Sequence, residues 1–361
     1  MKLLLLGFGN IGRRLAEILA DRASYPGLDG LDVSVVGITT GSRGAAVDPA
    51  GLDLGRVLAV LGASGRFGEG YPEAATLTSE EALRSLDYDV AVEMTPLDIA
   101  GRGAAAIGHV RTALELGRHV VTCNKGPLAW AWRPLRDLAR EKGARFLYET
   151  TVMDGAPVFN LAQRCLRGNA LLRIEGILNS TTNFVLCEME RGLSLAAAVA
   201  GAQRLGVAEA DPATDLDGWD AAVKVSALAN VLLDAGLPPE AVERESLSAV
   251  TPQRIEDALT REHRLKVVCE AFRITSQGEN RVIGRVRIRE VPVSDPFALV
   301  EGTGSILRLT TDILGSIVLT EEDPDLSTTA YGVISDLFRL QEGEGPAPAP
   351  TPRLREKKVR G

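Results

Sequence analysis

The chain is poor in the residues that most often carry acid–base, redox and metal chemistry, with three histidines, four cysteines and 4% aromatics in 361 positions. His109, His119 and His263 stand outside the motifs described below, so proton transfer is expected to rest on carboxylates or lysine. Cys123, Cys165, Cys187 and Cys269 show neither a C-x-x-C pair nor a zinc spacing. With no signal peptide read at the N-terminus, they imply a reduced, cytoplasmic chain. No apolar run approaches the ~20 residues a membrane span needs. Net charge is −8 and no basic cluster lies within the folded part, which argues against nucleic acid as a partner. A small-molecule partner is expected instead.

What is present is length enough for two domains, with 45% apolar and 24% charged residues, ordinary values for an α/β protein. Residues 2–6, KLLLL, are a fully apolar run that ends at Gly7-Phe8-Gly9-Asn10-Ile11-Gly12. A helical pattern follows, with Ile11, Leu15, Ile18 and Leu19 on one face. Strand, G-x-G-x-x-G turn and helix together make a dinucleotide fingerprint. Gly7 permits the turn, Gly9 lets backbone approach the pyrophosphate, and Gly12 lets helix and strand pack. The N–H groups at the helix start, from Asn10 and Ile11 onward, are the phosphate donors. The next strand, about Asp32–Thr40, ends without a carboxylate and is followed by Arg43. An acid there would bind a ribose 2′-hydroxyl, whereas Arg43 suits a 2′-phosphate. NADP is therefore favoured over NAD, with a plain loop charge as the alternative for Arg43.

Strand–helix alternation continues to Glu149 and predicts a parallel, doubly wound, Rossmann-type sheet with ligands at the carboxyl ends of its strands. Two of those ends stand out: Glu93-Met94-Thr95-Pro96, with a hydroxyl, and Thr122-Cys123-Asn124-Lys125-Gly126-Pro127, with a lysine. Lys125 sits between an apolar strand and a Gly-Pro helix start, so a ligand-facing cation competes with a snorkelling one. Thr78-Ser79-Glu80-Glu81 has capping-box spacing. Trp130 and Trp132 read as packing.

The composition of Gly206–Lys224, GVAEADPATDLDGWDAAVK, is unusual: Glu209, Asp211, Asp215, Asp217 and Asp220 precede a lone cation, Lys224. An acidic loop is expected to feed a helix near Asp217, with Asp220 and Lys224 sharing one face. A solvated i,i+4 ion pair worth ~0.3–0.5 kcal/mol is the competing reading. Against it, VSALANVLL continues the helix as apolar nearly all round, which places its first turn near buried structure. Runs 264–275, 280–293 and 305–319 predict a mainly antiparallel sheet with helices on one side. The expected organisation is α/β: residues 1–150 as a dinucleotide-binding domain completed by 320–341, residues 151–319 as an α+β catalytic and dimerisation domain, and 342–361 as a disordered tail.

Together these motifs resemble the homoserine dehydrogenases over residues 1 to about 340. The carriers are LLGFGNIGRRL, VEMTP, VVTCNKGPLA, ETTVMDGAPV, EGILNSTTNFVL and GVAEADPATDLDGWDAAVK. The resemblance implies interconversion of L-aspartate 4-semialdehyde and L-homoserine with NADP or NAD, in a homodimer serving threonine, methionine and isoleucine biosynthesis. It implies that Lys125 and Lys224 lie at the reacting carbonyl, Asp220 beside the substrate, Glu209 and Asp215 at its amine, and Thr181 in the pocket. Thr95 and Lys125 would then flank the nicotinamide. Glu149, Val152, Asp154 and Ala156 fall on the family's sodium site, whose ligands are hard oxygens. Such an active site is expected to draw on both domains. Three departures accompany the resemblance: Ser180 where glycine is usual, Val207 where an aromatic is usual, and the acidic run Glu321–Asp325 in place of a glycine loop. These features leave two alternatives: a related oxidoreductase of another amino-acid aldehyde or keto acid, and a non-catalytic dinucleotide sensor.

Overall fold

The structure is a computed structural model that describes residues 1–343 apart from 69–70, 210 and 277–278. The expected tail from residue 344 onward and Gln277-Gly278 lie outside the described residues. The chain forms two compact units, Met1–Pro157 with residues 324–343, and Val158–Asp323.

The first unit is built on strands β1 (Lys2–Leu6), β2 (Ser34–Thr39), β3 (Ala45–Val47), β4 (Ala74–Ala75), β5 (Val90–Glu93), β6 (His119–Thr122) and β7 (Phe146–Leu147). Their order is β4-β3-β2-β1-β5-β6-β7. The strands from β2 to β7 in that order run parallel, whereas β3 and β4 turn back antiparallel at one edge. The alternation pattern missed that edge because both strands are too short and too alanine-rich to show a period. β1 is central, and all four of its leucines are fully buried. This explains why its sequence is continuously apolar instead of alternating. The helices are α1 (Asn10–Ala20), α2 (Leu54–Ser64), α3 (Ser79–Ser85), α4 (Ala104–Glu115) and α5 (Gly126–Glu141). The expected capping box forms at α3, with Thr78 and Glu81 satisfying each other's backbone N–H groups. Trp132 packs edge-on against Tyr148, with ring centroids 5.1 Å apart.

The second unit contains α6 (Val158–Asn160), β8 (Leu171–Ile177), α7 (Ser180–Glu190), α8 (Leu195–Arg204), α9 (Ala213–Leu216), α10 (Trp219–Leu233), β9 (Glu243–Arg244) and α11 (Pro252–Thr260). Strands β10 (His263–Ser276), β11 (Glu279–Pro292), β12 (Ser305–Thr311) and β13 (Ser316–Glu321) follow. The sheet order is β13-β12-β8-β10-β11-β9, antiparallel except for β9. The run at 305–319 is a hairpin of two strands, because Gly315 adopts φ +83° and turns the chain back. The short α turn of α6 continues as a π-helix, Leu161–Cys165. One side of this sheet is apolar, with Ile174, Ala271, Val286 and Ile288 buried, and α10 packs there. The other side carries Arg173, Glu175, Glu270 and Arg289, joined by ion pairs of 2.5–3.2 Å.

α12 (Leu326–Gln341) returns to the first unit and buries Ala330, Val333, Ile334 and Leu337 in the core that also holds Leu3, Leu5 and Leu15. Its N-cap is Asp325, whose carboxylate accepts from Ser327 N and Thr328 N at 2.7 and 3.0 Å. One acid of the Glu321–Asp325 run is therefore a helix cap. Asp336, on the same helix, accepts from Glu149 N at 2.8 Å, and burial pushes its carboxyl up to about 6.

Candidate active site

Each of the three glycines of the first turn does a different job. Gly7 has φ +90°, and a Cβ there would lie 2.7 Å from Met94 O. A Cβ on Gly12 would meet Gly7 O and Phe8 Cδ2 at 3.2 Å, so this glycine permits close helix–strand packing. A Cβ on Gly9 would meet nothing within 4 Å, which leaves that backbone open to a ligand. Gly9 also N-caps α1 without a side-chain cap, so the first N–H groups of the helix, Asn10, Ile11 and Gly12, face outward as donors. This cradle fits a dinucleotide pyrophosphate. Arg43 adds a cation beside it: Nη1 donates to Phe8 O at 3.4 Å, while Arg43 N donates to Thr40 Oγ1 at 2.8 Å. β2 ends in Thr39, buried and bonded to Ser79 Oγ at 2.8 Å, with no carboxylate.

The ends of β5 and β6 are tied together by a buried polar set. Glu93 has no exposed surface. It accepts from Thr95 N at 3.2 Å, from Thr95 Oγ1, and from Thr122 Oγ1 at 3.2 Å. His109 Nδ1 lies 3.6 Å from the same carboxylate. Asn124 clamps the loop, donating to Thr95 O at 3.0 Å and accepting from Gly126 N at 2.8 Å. Lys125 is held between Asn124 and Gly126 as the N-cap residue of α5, half-buried. Cys123, beside it, has its thiol pushed up, first by burial and then by the Glu93 charge, which suits packing rather than nucleophilic work.

In the second unit the acidic stretch gathers around a residue that sequence reasoning passed over. Asn179 follows β8 and N-caps α7, accepting from Thr182 N at 2.8 Å. Its amide then donates to Asp215 Oδ1 at 2.8 Å and to Asp220 Oδ2 at 3.1 Å. Lys224 Nζ pairs with Asp220 Oδ2 at 3.3 Å and donates to Leu178 O at 2.6 Å, and both side chains are only 16% exposed. That exposure argues against a solvated surface pair. The Asp215 carboxyl is held above the ordinary carboxylate value, first by burial and then by the nearby Asp220 charge, with Asn179 opposing. Thr181 Oγ1 donates to Val207 O at 3.1 Å, so it ties α7 to the acidic loop. The cue for Asn179 was its place as a polar residue between a strand and a helix, an N-cap signature.

Other acids of the stretch fall elsewhere. Glu209 is exposed, and Gln203 donates to its backbone carbonyl at 3.2 Å. Asp211 caps Ala213 N at 3.1 Å, and Asp217 accepts from Ser246 Oγ at 2.8 Å. α10 begins at Trp219, fixed by the Arg244 guanidinium 3.5 Å above its ring. Ser180, at the position where glycine was expected, donates to Thr303 O at 3.1 Å.

Glu149, Val152, Asp154 and Ala156 lie in the first unit, on the 3-10 turn Glu149–Thr151 and the turns and bends that follow it. Glu149 is buried, and Asp154, at φ +42°, accepts from Thr329 Oγ1 at 2.7 Å. Among the described residues there is no group of three or more His, Cys, Asp and Glu placed to hold a metal. A donor set of one carboxylate and backbone carbonyls suits a hard, weakly bound cation rather than a transition metal.

Comparison with known proteins agrees across the chain. Residues 7–149 match the model for the NAD-binding domain of homoserine dehydrogenase, and residues 157–338 match that for homoserine dehydrogenase itself. The NAD(+)-dependent homoserine dehydrogenase of Pseudomonas canavaninivorans is 36% identical, over 94% of this chain and 96% of its own. That of Methanocaldococcus jannaschii is 34% identical, over 94% and 98%. A hyperthermophilic archaeal homoserine dehydrogenase solved in complex with NADPH superposes with a TM-score of 0.80 at 27% identity, covering 96% of this chain and 99% of its own. With the glycine cradle in one unit and the Asp220–Lys224 pair in the other, the chain belongs to the homoserine dehydrogenase family.

Proposed function

We propose that in this NAD(P)-dependent homoserine dehydrogenase Lys224 is the proton donor, with Asp220 and Asn179 orienting it. The observation that carries this reading is the half-buried Asp220–Lys224 pair, built on the same asparagine that holds Asp215. Bound NAD(P)H supplies the hydride for L-aspartate 4-semialdehyde. As the carbonyl oxygen gains charge, an ammonium group at Lys224 stabilises it and passes it a proton, giving L-homoserine. Lys125 is the second lysine assigned to the reaction. Asp215 and Glu209 pair with the substrate ammonium, and Thr181 lines its pocket. In the oxidative direction Lys224 takes the proton back. Initial rates of homoserine oxidation, measured with NAD and NADP separately, test this reading. Turnover with either cofactor supports it, and binding without turnover would leave a dinucleotide sensor.

NADP is the favoured cofactor, because Arg43 stands beside the glycine turn and the end of β2 carries no acid. Gly7, Gly9, Asn10, Ile11 and Gly12 hold its pyrophosphate, and Thr95 and Lys125 meet the nicotinamide. Glu149, Val152, Asp154 and Ala156 take a sodium ion as a structural cation. In functional terms, residues 1–150 with 320–341 bind the dinucleotide and residues 151–319 bind substrate and form a homodimer. The charged side of the second sheet is a suitable dimer surface, since its arginines and glutamates let a two-fold copy meet opposite charge. Sedimentation mass checks this, with two chains expected. Four free cysteines accord with a cytoplasmic location.

A further inference from the structure

We infer that Glu93 is a positioning residue that fixes the Thr95 hydroxyl as a hydrogen-bond acceptor, so that Thr95 reads the amino group of the nicotinamide carboxamide. The inference rests on the proposed placement of the nicotinamide beside Thr95. A carboxylate can only accept, and a threonine hydroxyl has a single proton to donate. Glu93 Oε1 accepts both Thr95 N, at 3.2 Å, and Thr95 Oγ1. The hydroxyl proton is thereby committed to the protein interior, and Oγ1 offers a ligand only lone pairs. The carboxamide presents an oxygen acceptor and an amino donor, and such a threonine discriminates in favour of the amino end.

The burial of Glu93 argues that the carboxylate has a task. It lies at the last position of β5, in register with Leu6 on one side and Thr122 on the other, and has no exposed surface. Burying a carboxylate is costly unless it is fully engaged. Its second oxygen accepts from Thr122 Oγ1 at 3.2 Å, and Thr122 Oγ1 in turn accepts from Asn124 N at 3.0 Å. Asn124 then holds Thr95 O, Pro96 O and Gly126 N. One carboxylate thus sets the polarity of Thr95 and the register of the loop that carries Lys125. His109 Nδ1 lies 3.6 Å from Oε1.

The test compares binding of the natural oxidised cofactor with its 3-acetylpyridine analogue, in which a methyl group replaces the carboxamide amino group. Dissociation constants are measured for the wild-type enzyme, Thr95→Val, Glu93→Ala and Glu93→Gln. The wild type should prefer the natural cofactor by roughly three- to tenfold, the worth of one neutral hydrogen bond. Thr95→Val and Glu93→Ala should both lose that preference. Glu93→Gln should keep it, because the amide oxygen still accepts from Thr95. If Glu93→Ala does not fold, Glu93→Asp carries the same expected loss, since its carboxylate is withdrawn by one methylene. Full preference in Glu93→Ala or Glu93→Asp, alongside its loss in Thr95→Val, overturns the role of Glu93 alone. Equal affinity for the two cofactors in the wild type overturns the nicotinamide placement as well, and the two failures are distinct.

Discussion

The glycine turn of the first unit and the acidic cluster of the second solve opposite problems in opposite ways. On the proposed reading the turn receives anions, and it would do so with backbone: Gly7 bends, Gly12 packs, and α1 presents its N–H groups without a side-chain cap. On the same reading the cluster receives a cation and delivers a proton, and it would do so with side chains drawn from separate segments. Asn179 from the end of β8, Asp215 from α9, and Asp220 with Lys224 from α10 meet through contacts of 2.8–3.3 Å. A backbone site is robust to most side-chain changes and brittle at one or two glycines. A side-chain site distributes its roles, so each substitution should produce its own kinetic signature.

Four substitutions sharpen that contrast, from the largest expected effect to the smallest. Lys224→Ala should lower kcat by about two to four orders of magnitude, the usual contribution of a positioned proton donor, while cofactor affinity stays within about twofold. Asp215→Asn should raise KM for homoserine by roughly tenfold or more, because a charged partner of the ammonium is lost. The same substitution should raise the melting temperature at neutral pH. The folded protein holds the Asp215 carboxyl above its ordinary value, so the folded state binds that proton more tightly than the unfolded chain. The stability this provides is complete below the unfolded pKa and is lost as pH rises through the folded one. Asparagine removes that penalty, and thermal melts at low and neutral pH check the sign. Gly7→Ala, by contrast, should weaken cofactor binding about tenfold and lower the melting temperature, since φ +90° and the nearby Met94 carbonyl both reject a Cβ. Arg43→Ala should raise KM for NADP about fivefold and leave KM for NAD nearly unchanged, read from paired initial rates.

The two regions also differ in how far they could be read from the chain. The glycine turn was legible in full because its parts are contiguous: an apolar strand, three glycines at fixed spacing and a helix. The i,i+4 relation of Asp220 and Lys224 was legible for the same local reason. Asn179 was not, since its amide becomes informative only once β8 brings it to residues more than thirty positions later. Glu93 was visible as a strand end, but only its complete burial and its bonds to Thr95 and Thr122 set it apart from an ordinary acid. The antiparallel β3–β4 edge escaped because three- and two-residue strands have no readable period. Asp215 and Asp220 converge on Asn179, which local acid density alone did not specify.

The central claim is that Lys224 moves the proton, and chemical rescue tests it most directly. Lys224→Ala is assayed for homoserine oxidation across a series of small primary amines at fixed pH. The account predicts a severe loss of kcat that the amines restore in part, in a saturable way that tracks amine basicity, with no such response in the wild type. Near-normal turnover of Lys224→Ala without any amine would contradict it.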